Sequence, residues 1–249
     1  MKPNLSRWIP HRLAAVLLAV LTAGSALAAD PTRVLVVTGG HDFETNQFFQ
    51  IFQDNPGITF VKANHPEAHA WLKPDKAREW DVMVCYDMWA NISEETKADF
   101  VARLKEGKGL VSLHHAIANY PKWDEYARII GAKYYLEKQV VNGVEKARSL
   151  YQHDVKFKVQ IADPTHPITR GLTDFEIHDE TYNLFDVDPA NHVLLRTTEP
   201  TSGPVIGWSK SYGKARVVYL QLGHDHFAFE NPNYRRLVAQ AIAWTAKRD

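Results

Sequence analysis

The chain has 249 residues, of which 45% are hydrophobic, and its 29 basic and 29 acidic residues leave a formal net charge of zero. That length and apolar content suit one globular domain with a sizeable core, and the balanced, interspersed charge excludes the electrostatic footprint of a nucleic-acid binder. Its one cysteine, Cys85, excludes an internal disulfide.

The N-terminus has the pattern of an export signal. Lys2, Arg7 and Arg12 precede the apolar run 13–21, and Ala26-Leu27-Ala28 is an A-x-A cleavage site. The pattern predicts removal of residues 1–28 as a signal peptide. It leaves a mature domain over 29–249, exported across an inner membrane to a periplasm. The apolar run is short for a bilayer span, so no stable membrane insertion is expected after cleavage.

Residues 33–38 form a β-branched apolar run that predicts a first strand, ending at Gly39-Gly40-His41-Asp42. A strand, a glycine pair and a helical pattern suggest a phosphate-binding turn in outline. The G-x-G-x-x-G spacing and a Walker lysine are both missing. The glycines therefore predict a tight turn presenting His41 and Asp42, and no nucleotide cofactor is expected. Residues 58–62 and 81–86 predict two further strands. Ser93 predicts the cap of a helix that runs to Glu106 and ends at Gly107. Residues 109–113 predict a fourth strand, which stops at His114-His115.

Pro121 predicts a helix around 123–130, closed by Gly131. Residues 139–148, with Asn142-Gly143 at their middle, suit a hairpin. Residues 153–161 alternate as a half-exposed strand does. Residues 175–182 alternate too, yet carry Glu176, His178, Asp179 and Glu180. Residues 192–197 predict another strand, and 205–209 with 215–220 a hairpin that runs into Gly223-His224-Asp225-His226. Asn231 and Pro232 open a last helix, with Tyr234, Leu237, Val238, Ala241, Ile242 and Thr245 on one face. Strands alternating with helices predict an α/β fold with a mostly parallel central sheet and helices on both faces.

Histidines follow three of these strands: His41, then His114 and His115, then His224 and His226. Parallel strands share one carboxyl edge, where ligands of open α/β sheets bind. The pattern therefore points to one crevice holding His41, His114, His115, Glu180 and His224. Of the adjacent pair, His114 is expected to face it. Histidine beside carboxylate supports proton transfer, or ligation of a divalent, zinc-like metal with His41, His114 and His224 as candidate ligands. Spacing does not choose between the two. No G-x-S-x-G and no cysteine at a strand-to-helix elbow offers a nucleophile, and Ser112 falls inside the strand pattern. Asp42, Asp179, Asp225 and His226 are candidate substrate contacts, and Trp89, Tyr120, Trp123 and Tyr182 candidate stacking walls for a sugar ring.

Residues 109–115 resemble the elbow strand of the class I glutamine amidotransferase-like superfamily, and residues 218–225 resemble its strand bearing the triad histidine. Histidine stands where the amidotransferases have cysteine, which argues against glutaminase chemistry. Val37-Thr38-Gly39-Gly40-His41-Asp42, Leu113-His114-His115-Ala116, His166-Pro167-Ile168-Thr169-Arg170-Gly171-Leu172, Asp179-Glu180-Thr181-Tyr182 and Gly223-His224-Asp225 together resemble the ThuA-like family, named for trehalose utilisation. The resemblance implies a flavodoxin-like three-layer sandwich, a role in carbohydrate metabolism and a small carbohydrate ligand. It assigns no reaction. The leading expectation is an exported enzyme acting on a sugar or keto-glycoside by His/Glu acid–base chemistry. The rivals are a sugar-binding or accessory protein without turnover, and a purely structural metal site. Substrate, reaction and oligomeric state are left open by the sequence.

Overall fold

Continuous apolar runs become strands buried on both faces, because each strand is covered by helices above and below. The computed structural model describes Met1 and residues 30–248. Its first half contains β1 (Thr32–Gly39), α1 (Thr45–Gln53), β2 (Ile58–Asn64), β3 (Val82–Asp87), α2 (Glu94–Glu106), β4 (Gly109–Leu113) and α3 (Asp124–Ile130). Then come the short β5 (Ala132–Lys133), the hairpin β6 (Gln139–Val141) and β7 (Val144–Lys146), and the long pair β8 (Leu150–Ile161) and β9 (Phe175–Asn183). The chain ends with β10 (Asp186–Val187), β11 (His192–Arg196), β12 (Val205–Tyr212), β13 (Ala215–Leu220), α4 (His226–Phe229) and α5 (Pro232–Thr245). The expected leader over 1–28 lies, apart from Met1, outside the described residues. Among the described residues no helix is long and apolar enough to cross a membrane.

The main sheet has nine strands in the order β2-β1-β3-β4-β13-β12-β11-β8-β9. Its first five strands pair parallel, and the remaining pairs are antiparallel. Only β12 and β8 run backwards, so the other seven strands share one direction and one carboxyl edge. Alternate residues of β1 serve opposite layers. Val34 and Val36 pack with Phe48 and Phe52 of α1 and Leu237 of α5. Leu35 and Val37 pack with Phe100 and Leu104 of α2 and Ile129 of α3. The result is the three-layer α/β sandwich expected from the sequence.

Local signals set the helix ends. Ser93 Oγ accepts the Thr96 amide at 3.1 Å, and Gly107 closes α2 at φ 105°. Ser93→Ala is expected to cost about 1 kcal/mol, lowering the melting temperature by roughly 2–4 °C. A melting curve that coincides with wild type would refute this cap. At the other end of the chain, Asn231 Oδ1 accepts the amides of Asn233 and Tyr234, so α5 starts where the sequence placed it.

The far edge positions the site. β8 meets β11 at only two registered pairs, Leu195↔Ile161 and Arg196↔Gln160. The rest of β8 pairs with β9 alone, out to Leu150↔Asn183, with a register shift between Gln152 and Val155. This ribbon leaves the plane of the sheet and crosses its carboxyl edge, where β9 hydrogen-bonds the segment that follows β13.

Candidate active site

β4 ends at Leu113 in extended backbone, and the next residue, His114, turns sharply with φ 50°. A left-handed conformation at a non-glycine residue is strained, and such strain concentrates at functional positions. The turn buries His114 completely beneath the ends of β4 and β13. Its Nδ1 donates to the Gln221 carbonyl at 2.7 Å, because a carbonyl can only accept. That bond turns Nε2 towards three other groups. Glu180 Oε2 lies 3.0 Å away, the Tyr182 hydroxyl 2.8 Å and His224 Nδ1 3.3 Å.

Glu180 is shared. Its Oε2 lies 3.4 Å from His224 Nδ1, and its Oε1 lies 3.2 Å from His153 Nδ1. His153 also reaches His224 Nε2 at 3.1 Å. The buried Asp179 holds this arrangement from behind, accepting the amides of Gly223 at 2.7 Å, His224 at 2.8 Å and Glu180 at 2.9 Å. Burial raises the Glu180 carboxyl, but the His114 bond and charge outweigh it and bring the pKa to about 2. Burial lowers His114, and the bond to Glu180 more than reverses this, leaving it above the ordinary value. His224 is lowered by burial and by the charge on His114.

A cavity of about 280 Å³ opens beside this cluster, near the lower end of the usual ligand-pocket range. Polar walls come from His41, His115, Arg148, His153 and Glu180, and ring faces from Tyr134, Tyr151 and Tyr182. Neither ring nitrogen of His115 makes a well-formed hydrogen bond among the described residues, although the side chain is buried and the Tyr86 backbone lies close enough to draw on it. Burial first, then the neighbouring His114 and His41, push His115 well below the ordinary histidine value. A larger hollow of about 570 Å³ lies at the opposite edge, near the start of β4, lined by ion-paired surface groups such as Asp81, Arg103 and Glu106. It contains no histidine and none of the strand-end groups.

Several expected residues stand elsewhere. His41 does not join His114 and His224 as a candidate ligand; Glu180 takes that place. The β1 turn carries His41 onto the outer face of His115, where the rings stack with centroids 4.7 Å apart. Of the adjacent pair it is His115, and not His114 as expected, that lines the cavity, while His114 lies fully buried in the cluster behind Glu180. Trp89 stacks on His65, and Tyr120 and Trp123 pack against Phe100 and Tyr126, so these three belong to the core layer and not to the cavity. Asp225 caps α4 through the Phe227 amide, His226 pairs with Glu44, and Asp42 lies on a separate exposed surface beside Gly40. Asp179 contacts backbone, not cavity. Tyr182 does line the cavity. His153, Arg148, Tyr134 and Tyr151 were not anticipated. The register of β8 against β9, which pairs Gln152 with Thr181, is what brings His153 beside Glu180. Cys85 and Ser112 are buried in β3 and β4, and no thiol stands at the elbow.

The family model ThuA, described as trehalose utilisation, matches residues 33–245. A ThuA-like protein from Parabacteroides merdae ATCC 43184 is similar in structure. It shows 18% identity over 87% of this chain and 90% of that one, with a TM-score of 0.72. A second ThuA-like protein, from Bacteroides uniformis ATCC 8492, shows 20% identity over 86% and 91%, with a TM-score of 0.64. A beta-galactosidase from Bacillus circulans sp. alkalophilus shares the fold in part of its length, at 9% identity over 86% of this chain and 31% of that one, with a TM-score of 0.55. No curated protein matches the sequence. The family match over nearly the whole described chain, on this fold, establishes that the protein belongs to the ThuA family of the class I glutamine amidotransferase-like superfamily.

Proposed function

We propose that this chain is an exported enzyme that acts on a sugar or keto-glycoside by acid–base chemistry in the cavity at the carboxyl edge. The observation that carries the reading is His115, a buried imidazole with no well-formed hydrogen bond to either ring nitrogen and only the Tyr86 backbone beside it, on the wall of a cavity that Glu180 also lines. A buried polar group without a partner costs stability, roughly 1–3 kcal/mol, and is retained where a ligand supplies the partner. The tyrosine rings offer apolar faces to a pyranose, and Arg148, His41 and His153 offer donors to its hydroxyls. The family's association with trehalose utilisation supports carbohydrate as the substrate class.

In this reading His115 takes a proton from a hydroxyl, or from the carbon beside a carbonyl, and becomes imidazolium. The Glu180 carboxylate on the same cavity offsets that positive charge, and Arg148 meets the negative charge left on the sugar. The absence of a cysteine at the elbow separates this chemistry from glutamine hydrolysis. Incubation of the purified protein with trehalose and with keto-disaccharides, followed by mass spectrometry, is expected to reveal a changed sugar. His115→Asn is expected to slow that conversion about 10²- to 10⁴-fold with the melting temperature retained. Calorimetric binding of the same sugars, with no product from any of them, would replace the enzyme with a sugar-binding protein.

A further inference from the structure

We infer that His114, Glu180 and His224 together hold one divalent transition-metal ion of the zinc type. The inference rests on the proposed reading of this edge as the functional centre, and it assigns the cluster behind Glu180 a role that proton transfer alone does not explain.

The first argument is geometric. The three atoms Nε2 of His114, Oε2 of Glu180 and Nδ1 of His224 are separated by 3.0, 3.3 and 3.4 Å. Bonds of about 2.0–2.1 Å to a tetrahedral zinc place neighbouring ligand atoms about 3.3–3.4 Å apart. The side chains thus stand at the edges of a coordination polyhedron.

The second argument counts hydrogens. The Gln221 carbonyl claims the hydrogen on His114 Nδ1, so in the neutral ring Nε2 is a bare lone pair. That lone pair faces a carboxylate oxygen and a second imidazole nitrogen. Three electron-pair donors aimed at one point are held by positive charge between them or by donated hydrogens, of which the Tyr182 hydroxyl, 2.8 Å from Nε2, offers one. A single proton on Nε2 satisfies at most one of the two neighbours well.

The third argument is the outer shell. Metal-binding histidines almost always give their second nitrogen to a carbonyl, carboxylate or water. His114 gives its second nitrogen to the Gln221 carbonyl, and His224 Nε2 can give its hydrogen to His153 Nδ1, which then serves as acceptor and not as a donor to Glu180. The Asp179 bonds tie β9, which carries Glu180, to the segment after β13, and the bond from His114 to Gln221 ties in the end of β4. Two histidines and one carboxylate form a known ligand set of hydrolytic zinc, which keeps one position for water or substrate. A cation held here would border the cavity at Glu180, the one of the three ligands that lines it, and would supply Lewis acidity there.

The test is metal binding itself. The protein, stripped with a chelator, is titrated with Co²⁺ and followed by its visible d–d absorption. Zn²⁺ binding is measured by calorimetry, and elemental analysis is run on protein purified without chelator. One ion per chain is expected. Glu180→Gln and His224→Ala are each expected to weaken binding at least about 100-fold, consistent with loss of a direct ligand. His192→Ala, a surface histidine paired with Asp163, is expected to change nothing. His224 is partly exposed, so its replacement leaves the core packed, and circular dichroism confirms that each variant is folded. A folded wild type that binds neither ion overturns the inference and leaves a proton bridging His114 and Glu180. Full affinity in both ligand variants overturns it as well. Turnover of a keto-glycoside in excess chelator would overturn the metal and leave the proposed activity standing. A metal-loaded protein inert towards every sugar would do the reverse.

Discussion

Asp179→Ala is expected to destabilise the protein by about 3–5 kcal/mol and to abolish activity, although Asp179 touches neither the cavity nor any proposed ligand atom. The carboxylate accepts three amides, from Gly223, His224 and Glu180, in a fully buried position. Alanine leaves those donors without partners, at about 1–3 kcal/mol each. The sum is reduced because the carboxylate is itself costly to bury. Desolvation raises its pKa to about 6, against the opposing pull of His114 and the three amides. The functional loss follows from position: the same bonds clamp β9, which carries Glu180, to the segment carrying His224. Urea denaturation measures the first effect and sugar turnover the second. A variant within about 0.5 kcal/mol of wild type, the size of an ordinary surface change, would remove Asp179 from this role.

Gly223→Ala is expected to cost about 2–5 kcal/mol and to displace His224. Gly223 has φ 112°, and a Cβ there would strike the hydroxyl and Cζ of Tyr234, which is wholly buried in α5. Backbone strain at such a φ adds roughly 1–2 kcal/mol, and overpacking about 1–3 kcal/mol more. The two parts can be separated. Tyr234→Phe removes the nearest atom, and that hydroxyl has no hydrogen-bond partner to lose. In the Gly223→Ala background, Tyr234→Phe should recover part of the stability. Wild-type melting of Gly223→Ala alone would show that the turn before His224 tolerates a side chain.

The parallel half of the fold was legible because its strands are short apolar runs closed by turn residues. Gly107, Gly131 and Asn231 marked helix ends that the structure keeps. Three strand ends bearing histidine also pointed to the edge where the histidines converge, since a shared strand direction brings residues far apart in sequence together. The fold-over of β8 and β9 was not legible. Alternation reveals that a strand has one exposed face, but not which edge of the sheet it crosses. His153 therefore looked like an ordinary half-exposed position, and His41 was grouped with His114 and His224 where the structure puts Glu180. The aromatic residues failed for a different reason. Trp89, Tyr120 and Trp123 have the composition of a sugar platform, yet they pack around Phe100, Tyr126 and His65, and Tyr120 sits there with φ 47°. Side-chain chemistry alone does not separate a wall of a pocket from a wall of the core.

The ribbon that crosses the edge also ties the centre to the whole chain. His41 precedes nearly all of the sheet, His114 ends its middle strand, Glu180 comes from the antiparallel wing, and His224 follows the last strand. No contiguous fragment shorter than residues 41–224 holds the whole set. The loops that must close to bring these residues together span most of the sequence, so the centre forms only after the slowest, longest-range pairings are in place. The chemistry at this edge is therefore a property of the completed fold, and a chain folded in every other respect lacks it until β8 and β9 have docked.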